Sequence, residues 1–364
     1  MDGVALVHDY LTQFGGAERV AAELCRIFPG APLYTTVYRP ERTWADFEGV
    51  DIRCSYLQHL GPLANRHRTL LPLYPRAIER LRIEPVGLVL SNSSAFAKGV
   101  HPPPGATHVC YCHNPMRFAW RSSDYLEREQ LPGVVKRALR AYMARLREWD
   151  LERNKDVDLF LANSANVQQR IASWYKRDSL VLHPPTSMPL WPASPRPAAG
   201  HILVVSRLVG YKRIDLPIEA ARILGMPLVV VGEGPDRQRL EGLAGGTVRF
   251  AGRVSDEELE GLYDSAVALA FPGEEDFGLV PVEAMARGVP VVAFAAGGAL
   301  ETVVEGVTGV FFEQETADDL AKALDRCLRM TWDPGALRQQ AEEFSAEAFR
   351  RNLLGILSER NCLT

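Results

Sequence analysis

From His201 onward, short apolar runs alternate with segments whose apolar residues recur at helical spacing. The runs are "ILVVS", "PLVVVG", "VRFAG", "VALAF" and "PVVAF". Strands that are apolar throughout are typical of a parallel sheet covered on both faces by helices. Ser255 and Glu258 have the spacing of a capping box at the start of one intervening helix. The pattern therefore predicts a doubly wound α/β domain over residues 201–344.

The first half of the chain shows the same alternation less regularly. The run "VALVHDY" is followed by "GGAERVAAELCRIF", in which Val20, Leu24, Ile27 and Phe28 fall on one face of a helix. Strand, glycine turn and helix form the opening unit of a parallel α/β sheet. Later runs are "VGLVLSNSS", "HVCYCHNP" and "DLFLANSANVQQRI". We predict a second α/β domain over residues 1–183.

Six prolines between Pro184 and Pro197 separate the two halves. Proline fixes φ and removes a backbone donor, so residues 184–200 are predicted to form an extended, semi-rigid linker. The stretch "SAEAFRRNLLGILSER" (345–360) is predicted to be a last amphipathic helix with no strand after it.

Composition limits the class of protein. The chain has 364 residues, 47% hydrophobic and 24% charged, as in soluble proteins with large cores. The start of the chain lacks the features of a signal peptide, and no segment has the ~20 uninterrupted apolar residues of a membrane span. Cys110 and Cys112 form a lone C-x-C pair, which argues against a zinc site. We expect a cytoplasmic protein, soluble or peripheral at the inner face of the membrane, without a metal.

Charge is unevenly distributed. Residues 1–180 carry 24 Lys and Arg against 19 Asp and Glu, and a helical pattern over Leu131–Asn154 is rich in arginine. A basic amphipathic helix favours contact with an anionic membrane surface. The alternative is a solvated face with ion pairs, and the charge excess is also compatible with ordinary surface variation.

The loops after the strands are where ligands of such sheets bind. Gly15 and Gly16 follow the first strand and begin a helix, where backbone N–H groups can approach a phosphate; a simple tight turn explains them equally well. The chain has neither the G-x-G-x-x-G motif of dehydrogenases nor the G-x-x-x-x-G-K-[ST] motif of P-loop NTPases.

Two cations follow the strand "ILVVS". Arg207 and Lys212 are five residues apart, and such groups can neutralise a diphosphate and stabilise it as a leaving group without a divalent metal. The alternative is a pair of solvated surface cations.

The next two strand ends supply further candidate loop residues. Gly232 and Gly234 follow "PLVVV", and Arg253 and Val254 follow "VRFAG". Loops of this kind commonly line a nucleotide pocket, although turn geometry alone also requires glycines.

The stretch "GEEDFGLVPVEAMARG" holds two carboxylates eight positions apart. A helix is predicted to start near Leu279 or Val280, which leaves Glu275 in the loop and Glu283 in the first turns of the helix. Carboxylates are favoured near a helix amino end and accept hydrogen bonds from paired hydroxyls, as on a ribose or a hexose. The N–H groups around Phe277 and Gly278 would face the same ligand.

These motifs together resemble the retaining glycosyltransferases of family 4 with the GT-B fold. The resemblance rests on "EEDFGLVPVEAMARGVPVV", "SRLVGYKRID", "GEGPD" and "FAGRVSDEEL". In the first half, "VHDYLTQFGGAERV", "SNSSAFAKGV" and "CYCHNPMRFAW" resemble the bacterial O-antigen mannosyltransferase subgroup. It implies two Rossmann-like domains facing a cleft, with residues 345–364 crossing back to the N-terminal domain. The motif "VLHPPTS" departs from the Asn-Gly turn of many relatives, which affects the linker and not the chemistry.

The resemblance also implies roles for single residues. Four residues have implied catalytic roles. His113 would lie near the donor sugar, Arg207 and Lys212 would bind the diphosphate, and Glu275 would face the sugar hydroxyls. Glu283 matches the ribose ligand. The implied donor-binding residues are Gly15, Gly16, Gly232, Gly234, Arg253, Val254, Phe277, Gly278, Leu279 and Glu283.

The expected activity is retaining transfer of a hexose from a nucleotide sugar to a saccharide or lipid-linked acceptor. GDP-mannose is the first choice of donor on subgroup resemblance. The alternatives are a UDP-hexose-dependent transferase, a GT-B sugar-nucleotide epimerase and an inactive partner subunit. No cofactor and no metal are expected, and nucleic acid is not an expected partner.

Overall fold

The computed structural model describes residues 3–65, 70–121, 132–186 and 200–362. The chain divides into two compact units. Unit 1 comprises Met1–Pro185 together with Phe349–Thr364, and unit 2 comprises Thr186–Ala348. Most of the predicted proline linker, residues 187–199, lies outside the described residues.

Unit 1 is built on a seven-stranded sheet in the order β3-β2-β1-β4-β5-β6-β7, and all of its strand pairs are parallel. Its strands are β1 (Val4–His8), β2 (Leu33–Thr35), β3 (Ile52–Cys54), β4 (Leu88–Ser93), β5 (Thr107–Cys112), β6 (Leu159–Ala162) and β7 (Ser179–Val181). The central strand β4 is buried along its whole length.

Unit 2 is built on a six-stranded sheet in the order β10-β9-β8-β11-β12-β13, again with parallel pairs. Its strands are β8 (His201–Val205), β9 (Leu228–Val231), β10 (Val248–Gly252), β11 (Ala266–Phe271), β12 (Val291–Phe294) and β13 (Gly309–Phe312). The apolar side chains of this sheet enter two buried clusters. This arrangement explains why its strands are apolar throughout.

Helices connect the strands in both units. They are α1 (Gly16–Ile27), α2 (Tyr74–Glu79), α3 (Arg117–Trp120), α4 (Gly133–Arg153), α5 (Ala165–Arg170), α6 (Asp215–Leu224), α7 (Arg237–Leu243), α8 (Asp256–Asp264), α9 (Leu279–Ala286), α10 (Ala299–Thr302), α11 (Ala317–Arg329), α12 (Pro334–Glu342) and α13 (Ala346–Glu359). The predicted capping box at Ser255 and Glu258 is present at the start of α8. Among the described residues, no helix has the length and apolar character that crossing a membrane requires.

The last helix, α13, belongs largely to unit 1. Its Phe349, Leu353 and Leu357 are buried in the cluster that contains Leu6 of β1. The ring of Phe349 packs edge-on against Tyr111 of β5, with centroids 5.7 Å apart. The prediction that the C-terminal helix returns to the N-terminal domain is therefore confirmed, and the two doubly wound parallel sheets are those predicted.

Helix α4 is attached to unit 1 by a buried ion pair. The Lys98 ammonium pairs with the Asp150 carboxylate, and both side chains are almost completely buried. Lys98 also donates to the carbonyl of Ala95 at 2.9 Å, and Trp120 Nε1 donates to Asp150 at 2.7 Å. These bonds satisfy charges that a buried site otherwise destabilises.

Candidate functional site

The sheet of unit 2 reverses its strand order between β8 and β11, which lie side by side. At such a switch point the loops after the two strands diverge and leave room for a ligand at their carboxyl ends. Lys212 ends a 3₁₀ turn (Gly210–Lys212) after β8, and Glu275 lies in the loop after β11. Their side chains form an ion pair across this switch point. Two predicted site residues, 63 positions apart in the sequence, are thus brought together.

The Lys212–Glu275 pair lies in a crevice between the two loops. The crevice is lined by Ser206, Pro272 and Gly273 beside the pair. A Cβ on Gly273 would lie 3.0 Å from the Lys212 Cα, so a larger residue there would have to push the two loops slightly apart. The Lys212 side chain is 10% exposed and that of Glu275 25%. The ion pair is therefore shielded but accessible from the loop side.

Arg207, the other predicted cation, lies on the same strand-end loop but outside the ion pair. It is exposed, and its guanidinium donates a hydrogen bond to the hydroxyl of Tyr211 at 3.1 Å. The structure thus gives one shielded and one exposed cation after β8.

Helix α9 begins at Leu279, where the sequence predicted it. Gly278 immediately before it has φ of +85°, and a Cβ there would lie 2.8 Å from the Phe271 ring. Both facts require glycine. The side chain of Phe277 is buried and packs on Phe344 with centroids 5.4 Å apart, so only its backbone is available to a ligand.

The backbone of the Glu275 loop is held by a second loop. Gly298 N–H donates to the carbonyl of Glu275 at 2.9 Å. A Cβ on Gly298 would lie 2.2 Å from the Phe277 Cα, and one on Gly297 would lie 2.3 Å from the Glu275 carbonyl oxygen. These contacts fix the main chain that carries the first carboxylate.

Glu283 lies in the second turn of α9 and is 5% exposed. The hydroxyl of Tyr263, from α8, donates to its Oε2 at 3.4 Å. One turn later, the buried Arg287 pairs with Glu260 at 2.8 Å and with Asp264 at 3.8 Å. Helices α8 and α9 are therefore connected by polar contacts around the second carboxylate, and Tyr263 was not predicted.

Gly232 and Gly234 have a demonstrable packing role. A Cβ on Gly232 would lie 2.0 Å from the Ser206 carbonyl oxygen. A Cβ on Gly234 would lie 2.1 Å from the Leu208 carbonyl oxygen. Close packing against the loop after β8 therefore accounts for both glycines on its own. At the next strand end, Arg253 is exposed and Val254 half-buried.

Unit 1 has its own switch point, between β1 and β4, and polar side chains meet there. His8 and Asn92 are paired in register on the two strands. Asn92 Oδ1 lies 2.5 Å from Nε2 of His113, which follows β5. Burial and then the charge of the nearby His8 lower the pKa of His113 to about 3. His113 is therefore neutral at pH 7 and held by Asn92, which the sequence analysis did not single out.

The Gly15–Gly16 turn covers a buried carboxylate. Glu18, in the first turn of α1, is 1% exposed, and a Cβ on Gly15 would lie 2.5 Å from its Oε2. Its Oε1 lies 3.8 Å from His8 Nε2. Burial disfavours the charged form of His8, but the nearby carboxylates of Glu18 and Asp9 outweigh it and raise the pKa of His8. A larger residue at position 15 would therefore displace the buried Glu18 carboxylate.

A second carboxylate organises the adjacent loop. Asp9 accepts backbone N–H groups from Ser94 and Ala95 at 2.7 and 3.0 Å on one oxygen. Its other oxygen accepts those of Phe96 and Ala97 at 2.7 and 2.6 Å. This explains the "SNSSAFAKGV" motif as a loop bound at the carboxyl end of β4. In the described parts of both units, no group of three or more His, Cys, Asp or Glu side chains is arranged to hold a metal.

Two family models match the chain, one in each half. Residues 14–186 match glycosyltransferase family 4, and residues 197–347 match the glycosyl transferases group 1. The chain belongs to the GT-B glycosyltransferases of the group 1 and family 4 type. The switch point of unit 2 therefore lies within the group 1 domain of a glycosyltransferase.

Known proteins resemble this chain at two levels, in sequence and in fold. D-inositol 3-phosphate glycosyltransferase of Mycobacterium leprae is 30% identical over 209 residues, which are 50% of this chain and 48% of that protein. The fold matches sucrose-phosphate synthase of Thermosynechococcus elongatus, with a TM-score of 0.73, 19% identity and all of both chains covered. It also matches the Anabaena protein HepE in complex with UDP-glucose, with a TM-score of 0.66, 20% identity and 98% and 99% of the two chains covered.

The matches to the curated relatives are partial. The chain spans a third to a half of the length of the glycosyltransferases that it matches in sequence. The solved structures cover nearly the whole chain but support the fold alone. Within this glycosyltransferase, His113, Gly15 and Gly16 lie in unit 1 and the other predicted site residues in unit 2.

Proposed function

We propose that this glycosyltransferase transfers a hexose from a nucleoside diphosphate sugar to a hydroxyl acceptor, with retention of the anomeric configuration. The observation that carries the proposal is the Lys212–Glu275 pair at the β8–β11 switch point, with Glu283 on the helix that follows. A cation for phosphate and two carboxylates for hydroxyls match the two chemical parts of such a donor.

In the proposed complex Lys212 and Arg207 bind the donor diphosphate. Both cations stabilise negative charge as it develops on the leaving phosphate. Glu275, released from Lys212, accepts hydrogen bonds from hexose hydroxyls. Glu283 accepts them from the ribose, and backbone N–H groups from 277 to 279 contact the donor. Arg253 and Val254 would contact the nucleotide base.

The bond between the anomeric carbon and the phosphate oxygen breaks, and its electron pair stays with the phosphate. The acceptor hydroxyl oxygen forms the new bond from the same face, and its proton passes to the departing phosphate oxygen. The products are a glycoside and a nucleoside diphosphate. This route requires no enzyme nucleophile and no metal, and EDTA in the assay tests the second point.

GDP-mannose is the donor that we propose first, because the N-terminal motifs resemble O-antigen mannosyltransferases. A UDP-hexose is the alternative, since HepE was solved with UDP-glucose; at 20% identity that neighbour supports the fold and leaves the base open. A thermal-shift screen of GDP- and UDP-linked sugars decides between them, because a ligand that binds only the folded state raises its stability. Stabilisation by the UDP series alone would exclude GDP-mannose.

Product analysis distinguishes a transferase from an epimerase and from an inactive partner subunit. A transferase releases nucleoside diphosphate in proportion to acceptor glycosylated, whereas an epimerase converts the nucleotide sugar with no acceptor present. An inactive partner subunit does neither. The acceptor is proposed to be a saccharide or lipid-linked saccharide. Cytoplasmic location with peripheral membrane contact through α4 remains part of the proposal, and vesicle flotation with anionic lipid tests it.

A further inference from the structure

Four polar side chains form a chain at the switch point of unit 1, with one ion-pair contact and two contacts at hydrogen-bond distance. Glu18 Oε1 lies 3.8 Å from His8 Nε2, His8 Nδ1 lies 3.1 Å from Asn92 Nδ2, and Asn92 Oδ1 lies 2.5 Å from His113 Nε2. Glu18, His8 and Asn92 are each 1% exposed. Such a chain orders whichever group stands at its accessible end, and here that group is His113.

The orientation of the Asn92 amide is fixed by a backbone carbonyl. Asn92 Nδ2 donates to the carbonyl of Ala17 at 2.8 Å, and a carbonyl can only accept. The NH₂ group of the amide therefore faces Ala17, and the oxygen faces His113. An amide oxygen accepts only, so His113 Nε2 must carry a hydrogen. This settles a tautomer that the imidazole alone leaves open.

The position of Asn92 is itself fixed by His8 on the neighbouring strand β1. His8 is its register partner on β1, and His8 Nδ1 also lies 3.2 Å from the Asn92 carbonyl oxygen. The neutral imidazole accepts from the Asn92 amide, and the imidazolium donates to the Asn92 carbonyl. The charges facing His8 are Glu18 from α1 and Asp9 from its own strand end. Either form of His8 leaves the Ala17 hydrogen bond intact.

With Nε2 bonded to Asn92, the remaining ring atom of His113 is Nδ1. The ring is half-buried and packs edge-on against the Tyr111 ring, with centroids 5.1 Å apart. The backbone N–H of His113 donates to the Ser93 carbonyl at 2.9 Å. In the part of the chain that the structure describes, Nδ1 has no hydrogen-bond partner. A neutral ring with hydrogen on Nε2 has a lone pair on Nδ1, so it can only accept from a ligand.

We infer that Asn92 is a positioning residue that holds His113 in the Nε2–H tautomer, so that Nδ1 accepts a hydrogen bond from a substrate hydroxyl. The Glu18–His8 pair fixes the position of Asn92 on the side away from His113. This inference rests on the proposed function for the identity of the ligand, and on the hydrogen-bond geometry alone for the tautomer.

The tautomer is measured directly by nitrogen-15 NMR of the imidazole rings, with His113→Gln to assign the signal. His108 is an internal reference, because its Nδ1 faces the Asp156 carbonyl at 2.9 Å and must carry hydrogen. We expect His113 and His108 to show opposite tautomers in the wild-type protein. A His113 ring with hydrogen on Nδ1 would overturn the inference.

Two variants test the role of Asn92. In Asn92→Ala we expect a tautomer mixture at His113 and a fall in kcat/KM of about 10-fold or more. Asn92→Asp is isosteric and brings a carboxylate to the ring, so His113 should become cationic near neutral pH and the acid limb of the kcat/KM profile should move upward. The control, Ser91→Ala on the same strand, touches His108 and should leave kcat/KM within about 2-fold.

The two hypotheses fail separately. A wild-type protein that transfers no sugar would remove the proposed function, while the NMR spectra still decide the tautomer. Unchanged His113 signals and unchanged kcat/KM in Asn92→Ala, with a native circular dichroism spectrum, would overturn the positioning role even in an active transferase.

Discussion

Lys212 and Glu275 form an ion pair with each other at two neighbouring strand ends. In this pair each residue occupies the other, although the proposed donor needs Lys212 for its phosphates and Glu275 for its hexose hydroxyls. Lys212 should bind phosphate only after it leaves Glu275. Lys212→Ala should therefore lower kcat/KM on the order of 100- to 1,000-fold, because it removes the shielded cation at the leaving group. Steady-state kinetics with the donor found in the screen measure this loss.

Arg329→Ala is the matched control for that loss. Arg329 is an exposed cation on the same unit, paired with Asp325 at 2.9 Å and in no contact with the loops after β8 and β11. Its removal should change neither kcat/KM nor stability measurably. Equal losses in the two variants would mean that the effect of Lys212 is a general effect of charge.

Glu275→Gln should separate binding from transfer. The amide no longer holds Lys212 as an ion pair and removes a negative charge near the phosphates, so we expect a nucleoside diphosphate to bind more tightly than in the wild type. Transfer should nevertheless fall sharply, because the carboxylate that orders the hexose hydroxyls is gone. Calorimetric titration and turnover, measured on the same preparation, check both. Weaker diphosphate binding would contradict the proposed competition.

Glu283→Ala tests the ribose contact. If Glu283 accepts hydrogen bonds from ribose hydroxyls, the variant should bind the donor about 10- to 100-fold more weakly. The same change should have little effect on binding of a 2′,3′-dideoxy nucleotide, since that ligand lacks the hydroxyls. Affinities of the two nucleotides for the two proteins form a double-mutant cycle. A loss of equal size with the dideoxy nucleotide would assign Glu283 to packing with Tyr263 instead.

The sequence predicted the parts of this fold whose signal is local. The strand–loop–helix unit around Glu275 and Glu283 was predicted with its helix start near Leu279, because an apolar strand, a short polar loop that ends in glycine and an apolar helix follow one another along the chain. The short strands β2, β3, β7 and β13 were not predicted. Strands β2, β3 and β7 have three residues each, which is too few to show a period, and the pairing of all four strands is decided by neighbours far along the chain.

The polar chain of unit 1 was missed for a related reason. Its members at positions 8, 18, 92 and 113 lie on four different elements, and only the register of β1 on β4 makes two of them neighbours. Gly15 shows the same limit, because its contact with the buried Glu18 carboxylate is visible only in the structure. A sequence motif identifies the strand ends but not the contacts between them.

The buried pair of Lys98 and Asp150 should contribute to stability only as a pair. Asp150→Asn leaves a buried ammonium without its counter-charge and should lower the free energy of unfolding by about 3–5 kcal/mol. The double variant Lys98→Met, Asp150→Leu removes both charges and should recover most of that loss. Urea unfolding at pH 7 measures the three proteins. A double variant as unstable as Asp150→Asn would show that the hydrogen bonds from Trp120 and to Ala95 matter more than the charges.

His108 should make the protein sensitive to acid. It is fully buried on β5, with Nε2 on the Ser91 hydroxyl and Nδ1 on the Asp156 carbonyl, and burial lowers its pKa to about 4. Its unfolded pKa is about 6.5. The folded pKa is thus the lower one, so the unfolded chain takes up the proton first. The stabilisation is complete above about pH 6.5 and is lost as the pH falls toward about 4, by about 3 kcal/mol in all.

The comparison protein for this prediction is His108→Gln, which cannot titrate. The difference in unfolding free energy between wild type and variant should be constant above about pH 7 and should shrink steadily below it. Taking the difference removes the contribution of His113, whose lowered pKa acts in the same direction in both proteins. Urea unfolding at half-unit steps from about pH 8 to about pH 4.5 gives the curve. A pH-independent difference would mean that His108 has the same pKa in the folded and unfolded states, and its burial would then have no effect on the response to acid.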